Sequence, residues 1–175
     1  MKISEIMTHT VWSCRATDTL QRAAQLMWEH DLGALPVLDG RGDAIAMVTD
    51  RDLCMASYTQ GKPLRDILVS AAASHSLCSV RPDDSIGVAE AVMKMYRVTR
   101  VPVVDRGGTL TGIIAVADLV RHASFARGPR HALHPEAVAE TLAAVYRPHD
   151  LQRHPLEPRH TMAESLHGAD LGGTR

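Results

Sequence analysis

The feature that most constrains this chain is an internal repeat. Residues 14–54 align without a gap on residues 80–120 when the sequence is shifted by 66 positions. The clearest identical pairs are Asp18 and Asp84, Met27 and Met93, Pro36 and Pro102, Asp39 and Asp105, and Asp52 and Asp118. A solenoid needs more than two repeats to bury its core. Two copies therefore indicate a pair of similar halves related by a pseudo-twofold axis.

Each copy predicts the same order of secondary structure. Apolar residues at helical spacing, starting at Leu20 and Ile86, predict a first helix, and Thr17 or Asp18 is in position to cap the first of these helices. A short apolar strand with an internal proline follows, then a glycine-containing turn and a second strand rich in apolar residues. A second helix is predicted from Asp50, and its equivalent follows in the other copy.

This order predicts an α/β fold of two β-α-β-β-α repeats. A half of about sixty residues buries little core by itself, so we expect the two halves to pack sheet against sheet. Pro135 suits the first turn of a further, C-terminal helix, and the residues after it have a composition typical of disorder. The predicted boundaries are 1–60 and 61–124 for the repeats, 125–148 for the C-terminal helix, and 149–175 for a flexible tail.

Composition excludes several classes of function. The formal net charge is −1 and the sequence has six aromatic residues, so neither a basic patch nor a stacking surface for nucleic acid is expected. No apolar run is long enough to cross a membrane, and the first ten residues lack the apolar stretch of a signal peptide. We therefore expect no nucleic acid or membrane partner.

The potentially reactive side chains show no pattern of catalysis or metal binding. Cys14, Cys54 and Cys78 are odd in number and lack a CxxC spacing, which predicts buried, reduced thiols in a cytoplasmic protein. Six of the ten histidines follow residue 130 at irregular spacing, so no defined metal site is expected. No nucleophile–base arrangement or carboxylate cluster appears, and we expect the protein not to be an enzyme.

The segment VTDRDL, residues 48–53, has two interpretations. Thr49 and Asp52 stand three residues apart where a strand meets a helix, the spacing of a capping box. The same carboxylate is also suited to accept hydrogen bonds from two vicinal hydroxyls of a ribose, and a helix N-terminus favours a nearby phosphate. The residues alone leave both open.

The tandem pattern of a strand ending in LPVLD or VPVVD, a turn, and then VTDRDL or AVADL resembles the cystathionine-β-synthase (CBS) domain pair. The resemblance covers residues 1–124. It implies two β-α-β-β-α repeats and regulatory binding of an adenosine-containing ligand. It also implies that the Thr and Asp of this motif bind the ribose, and that residues before the proline of the opposite repeat complete the pocket.

Carried onto this sequence, the resemblance predicts two unequal sites. In site A, Arg100 would contact phosphate. Site B lacks the hydroxyl, because Ala115 stands where the first repeat has Thr49. Site A comprises Thr49, Asp52, Cys78, Val98, Thr99 and Arg100, and the weaker site B comprises Asp118, Trp12, Leu32, Gly33 and Ala34.

The sequence thus predicts a cytoplasmic regulatory protein with no obligatory cofactor. An adenine nucleotide would be its regulatory ligand and an unknown protein its regulated partner, with AMP, ADP, ATP, S-adenosylmethionine and a dinucleotide all left open. We also expect a homodimer, formed through a helix face that bears Met27, Trp28, Met93 and Met95. The alternative is a structural dimerisation or partner-docking module with vestigial nucleotide sites.

Overall fold

The computed structural model describes residues 1–74, 76–125 and 134–147. The predicted tail and five of the six C-terminal histidines lie outside these residues.

The first repeat contains the predicted elements in the predicted order. These are strand β1 (Cys14–Arg15), helix α1 (Leu20–Glu29), strands β2 (Ala34–Leu38) and β3 (Ala44–Thr49), and helix α2 (Asp50–Gln60). They form a three-stranded sheet of order β1-β2-β3, in which β1 runs parallel and β3 antiparallel to β2.

The second repeat has the same architecture with a shorter first strand. It comprises helix α3 (Ile86–Tyr96), strands β4 (Arg100–Val104) and β5 (Leu110–Ala115), and helix α4 (Val116–Phe125). A single parallel bridge from Val80 to Val103 takes the place of β1, which pairs Cys14 with Val37 in the first repeat. The α/β fold of two similar repeats is confirmed.

The segments that precede the repeats are exchanged between them. Ile3 and Met7 belong to the hydrophobic core of the second repeat, and Thr8 pairs with Ile113 on the edge of β5. Ile67 and Val69, in the segment before the second repeat, belong to the core of the first. Each core is therefore completed by chain from the other half, and the predicted boundary at residue 60 stays a prediction.

The two sheets meet at their hairpin turns and at their strand starts. Asp43 and Thr109 form a bridge between the turns, and the backbone N–H of Ala44 donates to the carbonyl of Gly108 over 3.1 Å. At the other end, Arg100 at the start of β4 lies beside Gly33, just before β2. The interface between the repeats thus brings the two pre-proline segments together.

Helix α5 (Pro135–Val145) packs across α3 and α4, so the predicted C-terminal helix is confirmed over these residues. Pro135 occupies the first turn, where its missing N–H costs no hydrogen bond. Val138 and Val145 join the core of the second repeat. None of the described helices combines the length and the hydropathy that a membrane span requires.

Two expectations about individual residues were wrong. Helix α1 is capped by the hydroxyl of Thr19, which accepts from the Arg22 N–H, and not by Thr17 or Asp18. The Asp18 carboxylate instead accepts from the Arg15 N–H over 2.7 Å. Cys54, expected to be buried, is exposed and lines the open groove between α1 and α2.

The helix face predicted for dimer contacts is not a single surface. Met27 and Met93 face inwards and are buried in the two cores, whereas Trp28 and Met95 are exposed. Successive helix residues point about 100° apart, so Met27 and Trp28 differ by about 100° and Met93 and Met95 by about 200°. Each pair therefore spans the core and the surface. Met27 and Met93 therefore stabilise their own repeats.

Candidate functional site

The corner between β3 and α2 forms a complete capping box. The Thr49 hydroxyl accepts a hydrogen bond from the Asp52 N–H at 3.2 Å and donates to Asp52 Oδ2 at 2.7 Å. Asp52 Oδ2 also accepts from the Thr49 N–H at 2.8 Å. Strand β3 delivers Thr49 in extended conformation, so its side chain turns over the first N–H groups of the helix. The capping interpretation of this spacing is confirmed.

The cap uses only one oxygen of the Asp52 carboxylate. Among the described residues, none donates a hydrogen bond to Oδ1. The side chain is half-buried at a helix N-terminus, where the backbone dipoles stabilise negative charge. An ionised carboxylate has about four acceptor positions, so Asp52 keeps the capacity to bind further hydroxyl donors while it caps the helix.

A cation from the second repeat reaches this corner. A Cβ placed on Gly33 would lie 3.8 Å from Nη1 of Arg100 and 3.6 Å from Oδ2 of Asp50. Gly33 is held against the start of α2, because its carbonyl accepts from the Asp50 N–H at 3.2 Å. The Arg100 guanidinium therefore extends from the start of β4 towards the helix that carries Asp52.

The remaining residues predicted for site A flank Arg100 in the sequence or lie near its strand. The Thr99 carbonyl accepts from the Val116 N–H at 2.9 Å, which mirrors the bond between Gly33 and Asp50 in the first repeat. The Val98 N–H donates to the carbonyl of Met93, and Cys78 is half-buried shortly before the Val80 bridge. The backbones of Val98 and Thr99 are thus fixed, and their side chains are only partly buried.

In the equivalent corner of the second repeat, the carboxylate of Asp118 already has protein partners for both of its oxygens. Asp118 is 6% exposed, and its Oδ2 accepts from the Ala115 N–H at 2.8 Å. The guanidinium of Arg121 donates to the other oxygen, Oδ1. Both carboxylate oxygens therefore have protein partners. A small cavity of about 310 Å³ beside them is lined by Glu5, Ile6, Thr8, Asp118, Arg121 and His122.

The other residues predicted for site B all belong to the first repeat. Trp12 is stacked on His30, with ring centroids 3.7 Å apart and planes 10° from parallel. Leu32 faces the groove between α1 and α2. Ala34 pairs with Thr49 across β2 and β3, and Gly33 lies beside Arg100, so both are close to the first repeat's own corner.

Sequence reasoning missed Arg121, the residue that neutralises Asp118. A sequence signal existed, because shifting by 66 residues places Arg121 on Met55, so only the second repeat has a cation one helical turn after its Asp. The missing hydroxyl at Ala115 was recognised, but the added arginine was not.

The three cysteines are free and have different environments. Cys14 is buried, and its desolvation, followed by the nearby charge of Asp18, raises the pKa of the thiol to about 11. Cys78 is half-buried and Cys54 is exposed. Within residues 1–74, 76–125 and 134–147, no three His, Cys, Asp or Glu side chains lie close enough together to hold a metal ion.

These features define a class of protein, a tandem pair of α/β repeats with a polar corner at each strand-to-helix junction. A sequence profile of the CBS domain matches residues 3–58 and again residues 65–124. The chain therefore belongs to the CBS domain family, and the resemblance seen in its sequence is confirmed.

Several known proteins are similar to this chain over about two thirds of its length. The CBS domain-containing protein YhcV of Bacillus subtilis is 35% identical over 117 residues, which cover 67% of this chain and 81% of YhcV. Hypoxic response protein I, solved with two coordinated zinc ions, is 34% identical with a TM-score of 0.64, over 70% of this chain and 98% of that one. CBSX2, solved in complex with AMP, shares the fold at 23% identity and a TM-score of 0.62, over 70% of this chain and 96% of that one.

Proposed function

We propose that this protein is a regulatory module that binds an adenosine-containing ligand between its two CBS repeats. Asp52 of the first repeat would accept the hydroxyls of the ribose, and Arg100 of the second would contact the phosphate. Site A would thus be the working site, with Thr49, Cys78, Val98 and Thr99 around the ligand, and binding would be signalled to a partner protein.

The observation that carries this proposal is the difference between the two corners. Asp52 keeps an oxygen that no described residue occupies, whereas Asp118 gives both oxygens to protein donors. A ligand at site B would have to displace Arg121 from a nearly buried carboxylate, which costs free energy. The proposal also agrees with the presence of AMP in the related structure of CBSX2.

The proposed activity is binding and not catalysis. At the first corner the carboxylate of Asp52 caps its helix, and at the second the carboxylate of Asp118 forms an ion pair with Arg121. Neither arrangement supplies a nucleophile with an adjacent base. An enzymatic reaction is therefore not proposed, and the cytoplasmic location stays a prediction.

The complete capping box favours a second candidate function, a structural or docking module. Thr49 and Asp52 satisfy one another, and this arrangement stabilises α2 without any ligand. In that case the corner would be a fold element, and adenine nucleotides would have no measurable affinity. We also propose that the chain forms a homodimer, which either function would use.

A titration of AMP into two matched variants tests the proposed function. Asp52→Asn removes a charged acceptor from two ribose hydroxyls, worth about 1.5–3 kcal/mol, so binding should weaken roughly ten- to hundredfold. Asparagine keeps one carbonyl oxygen for the cap. Asp118→Asn is the control and should leave the AMP affinity within about twofold. Equal losses would refute the assignment to site A, and no binding by the unmodified protein would favour the structural module.

A further inference from the structure

A cleft with an excess of positive charge lies between the C-terminal ends of α3 and α5. Its volume is about 610 Å³, which is in the range of small-molecule sites. Lys94 and Arg97 line it from the α3 side, and Glu140 and Arg147 from the α5 side. Two helices that are far apart in the sequence therefore bring three cations and one carboxylate to the same place.

The shape of the cleft follows from small residues on α5. Glu140, Ala143 and Ala144 are spaced three and four residues apart, so they lie on one face of the helix. Both alanines line the cleft, and their short side chains leave the space between the charged residues open. Helix α5 also lies outside the residues that match the CBS profile, which end at 124. The cleft thus combines a helix of the second CBS repeat with a helix that is additional to it.

The first repeat has the same backbone at this position but not the same charge. Shifting by 66 residues places Lys94 on Trp28 and Arg97 on Asp31. Arg97 and Asp31 both follow their helix in the left-handed conformation, each with a φ of 53°. The backbone conformation therefore belongs to the shared fold, whereas the two cations on α3 belong to the second repeat alone.

The positive charge in the cleft is only partly neutralised. Lys94 Nζ lies 3.7 Å from Glu140 Oε2, and the Glu140 side chain is 76% exposed, so this ion pair is weak. In the part of the chain that the structure describes, no carboxylate lies within ion-pair distance of Arg97 or Arg147. A cation after a helix C-terminus is favoured by the helix dipole, which accounts for each arginine singly. It does not account for the convergence of both, with Lys94, on one cleft.

These side chains suit phosphoryl oxygens. The guanidinium group presents parallel N–H donors that match two oxygens of a phosphate, and a lysine adds a compact point charge. Arg97 and Arg147 approach from different helices, so each is able to hold one of two linked phosphoryl groups. Tyr146, which is 68% exposed, also lines the cleft and offers a hydroxyl donor.

We propose that the α3–α5 cleft binds a diphosphate group, either as free pyrophosphate or as part of a small molecule. Arg97 and Arg147 hold the two phosphoryl groups, and Lys94 is the third cation. The cleft shares no residue with site A, where Arg100 points towards the first repeat's corner. This inference is therefore independent of nucleotide binding between the repeats.

Calorimetric titration of pyrophosphate into the full chain tests the cleft. We expect saturable binding of one pyrophosphate per chain. Arg97→Gln and Arg147→Gln should each weaken it about tenfold or more, since each removes a charged hydrogen-bond donor. The control Arg106→Gln changes an exposed arginine in the hairpin turn and should leave the affinity within about twofold. Absence of pyrophosphate binding by the unmodified protein would overturn the proposal.

Removal of the single carboxylate should have the opposite effect. Glu140→Gln takes away a like charge and frees Lys94, so pyrophosphate should bind about threefold more tightly or better. Glu136→Gln, on the same helix but outside the cleft, is the control and should change the affinity less than twofold. Cations that served only to stabilise helix ends would give no such gain, and an unchanged affinity in Glu140→Gln would contradict the proposed site.

Arg100→Ala separates this cleft from site A. Pyrophosphate binding should persist in Arg100→Ala, and melting temperatures report whether each variant folds. Loss of binding in Arg100→Ala, with binding intact in Arg97→Gln and Arg147→Gln, would assign pyrophosphate to site A and overturn the cleft. Within Arg100→Ala, ADP that binds as tightly as pyrophosphate would identify a larger diphosphate molecule as the ligand class. ADP that binds tenfold more weakly would identify the free anion.

Discussion

At the scale of single residues, Asp52 and Asp118 occupy equivalent positions but have different partners. The hydroxyl of Thr49 assists the helix cap at Asp52, whereas Ala115 supplies only its backbone N–H to Asp118. Arg121 binds Asp118, and its equivalent, Met55, carries no charge. Two side-chain differences therefore separate a carboxylate with capacity for a ligand from one that is neutralised by its own helix.

The cap at Thr49 leads to a prediction of stability. Thr49→Ala removes the hydroxyl that accepts from the Asp52 N–H, and should lower the free energy of unfolding by about 1 kcal/mol. Denaturant unfolding followed by circular dichroism measures this. Ser85→Ala is the matched control, because Ser85 stands at the N-cap of α3 without a side-chain hydrogen bond there. Its loss should be less than half as large, and equal losses would contradict the role given to Thr49.

At the scale of elements, the close approach of the first residues to β5 requires a glycine. A Cβ on Gly112 would lie 2.6 Å from the sulfur of Met7 and 3.1 Å from the carbonyl oxygen of Thr8. The Met7 side chain is flexible, but the Thr8 carbonyl is fixed, since it accepts from the Ile113 N–H at 2.9 Å. The exchanged segment therefore sits directly over position 112.

Gly112→Ala should consequently destabilise the protein by about 1–3 kcal/mol, the usual cost of overpacking. The control is Gly40→Ala, at a turn position where an added Cβ would meet no atom within 4 Å. Thermal or denaturant unfolding of both variants provides the comparison. A Gly112→Ala variant as stable as Gly40→Ala would show that the first residues do not pack on β5.

The sequence predicts elements well where local pattern decides them. The helical spacing of Leu20, Ala23 and Met27 predicts α1, and the Pro135 start predicts α5, because these signals are local. The exchange of Ile3 and Ile67 between cores depends on long-range packing that no periodicity encodes. The ion pair of Arg121 was missed for a related reason, since its importance appears only when the two corners are compared.

At the scale of the whole molecule, the two repeats differ in two features, and in both the first repeat is the more accessible one. The second repeat has a neutralised carboxylate and a helix face covered by α5, whereas the first has an available carboxylate and an open groove. The available carboxylate and the open groove therefore belong to the same repeat. Arg100, which approaches the first corner from the second repeat, would make the ligand site depend on both halves.

The most direct test of this account is a comparison of AMP with adenosine in Arg100→Ala. If one ligand bridges the repeats, loss of the guanidinium removes a contact to phosphate worth about 1.5–3 kcal/mol. Calorimetric titration should then show AMP binding roughly ten- to hundredfold more weakly, with adenosine unchanged within about twofold. Arg106→Ala, an exposed arginine in the hairpin turn, is the control and should change neither affinity. Equal weakening of AMP and adenosine by Arg100→Ala, or no weakening of AMP, would contradict a ligand held between the two repeats.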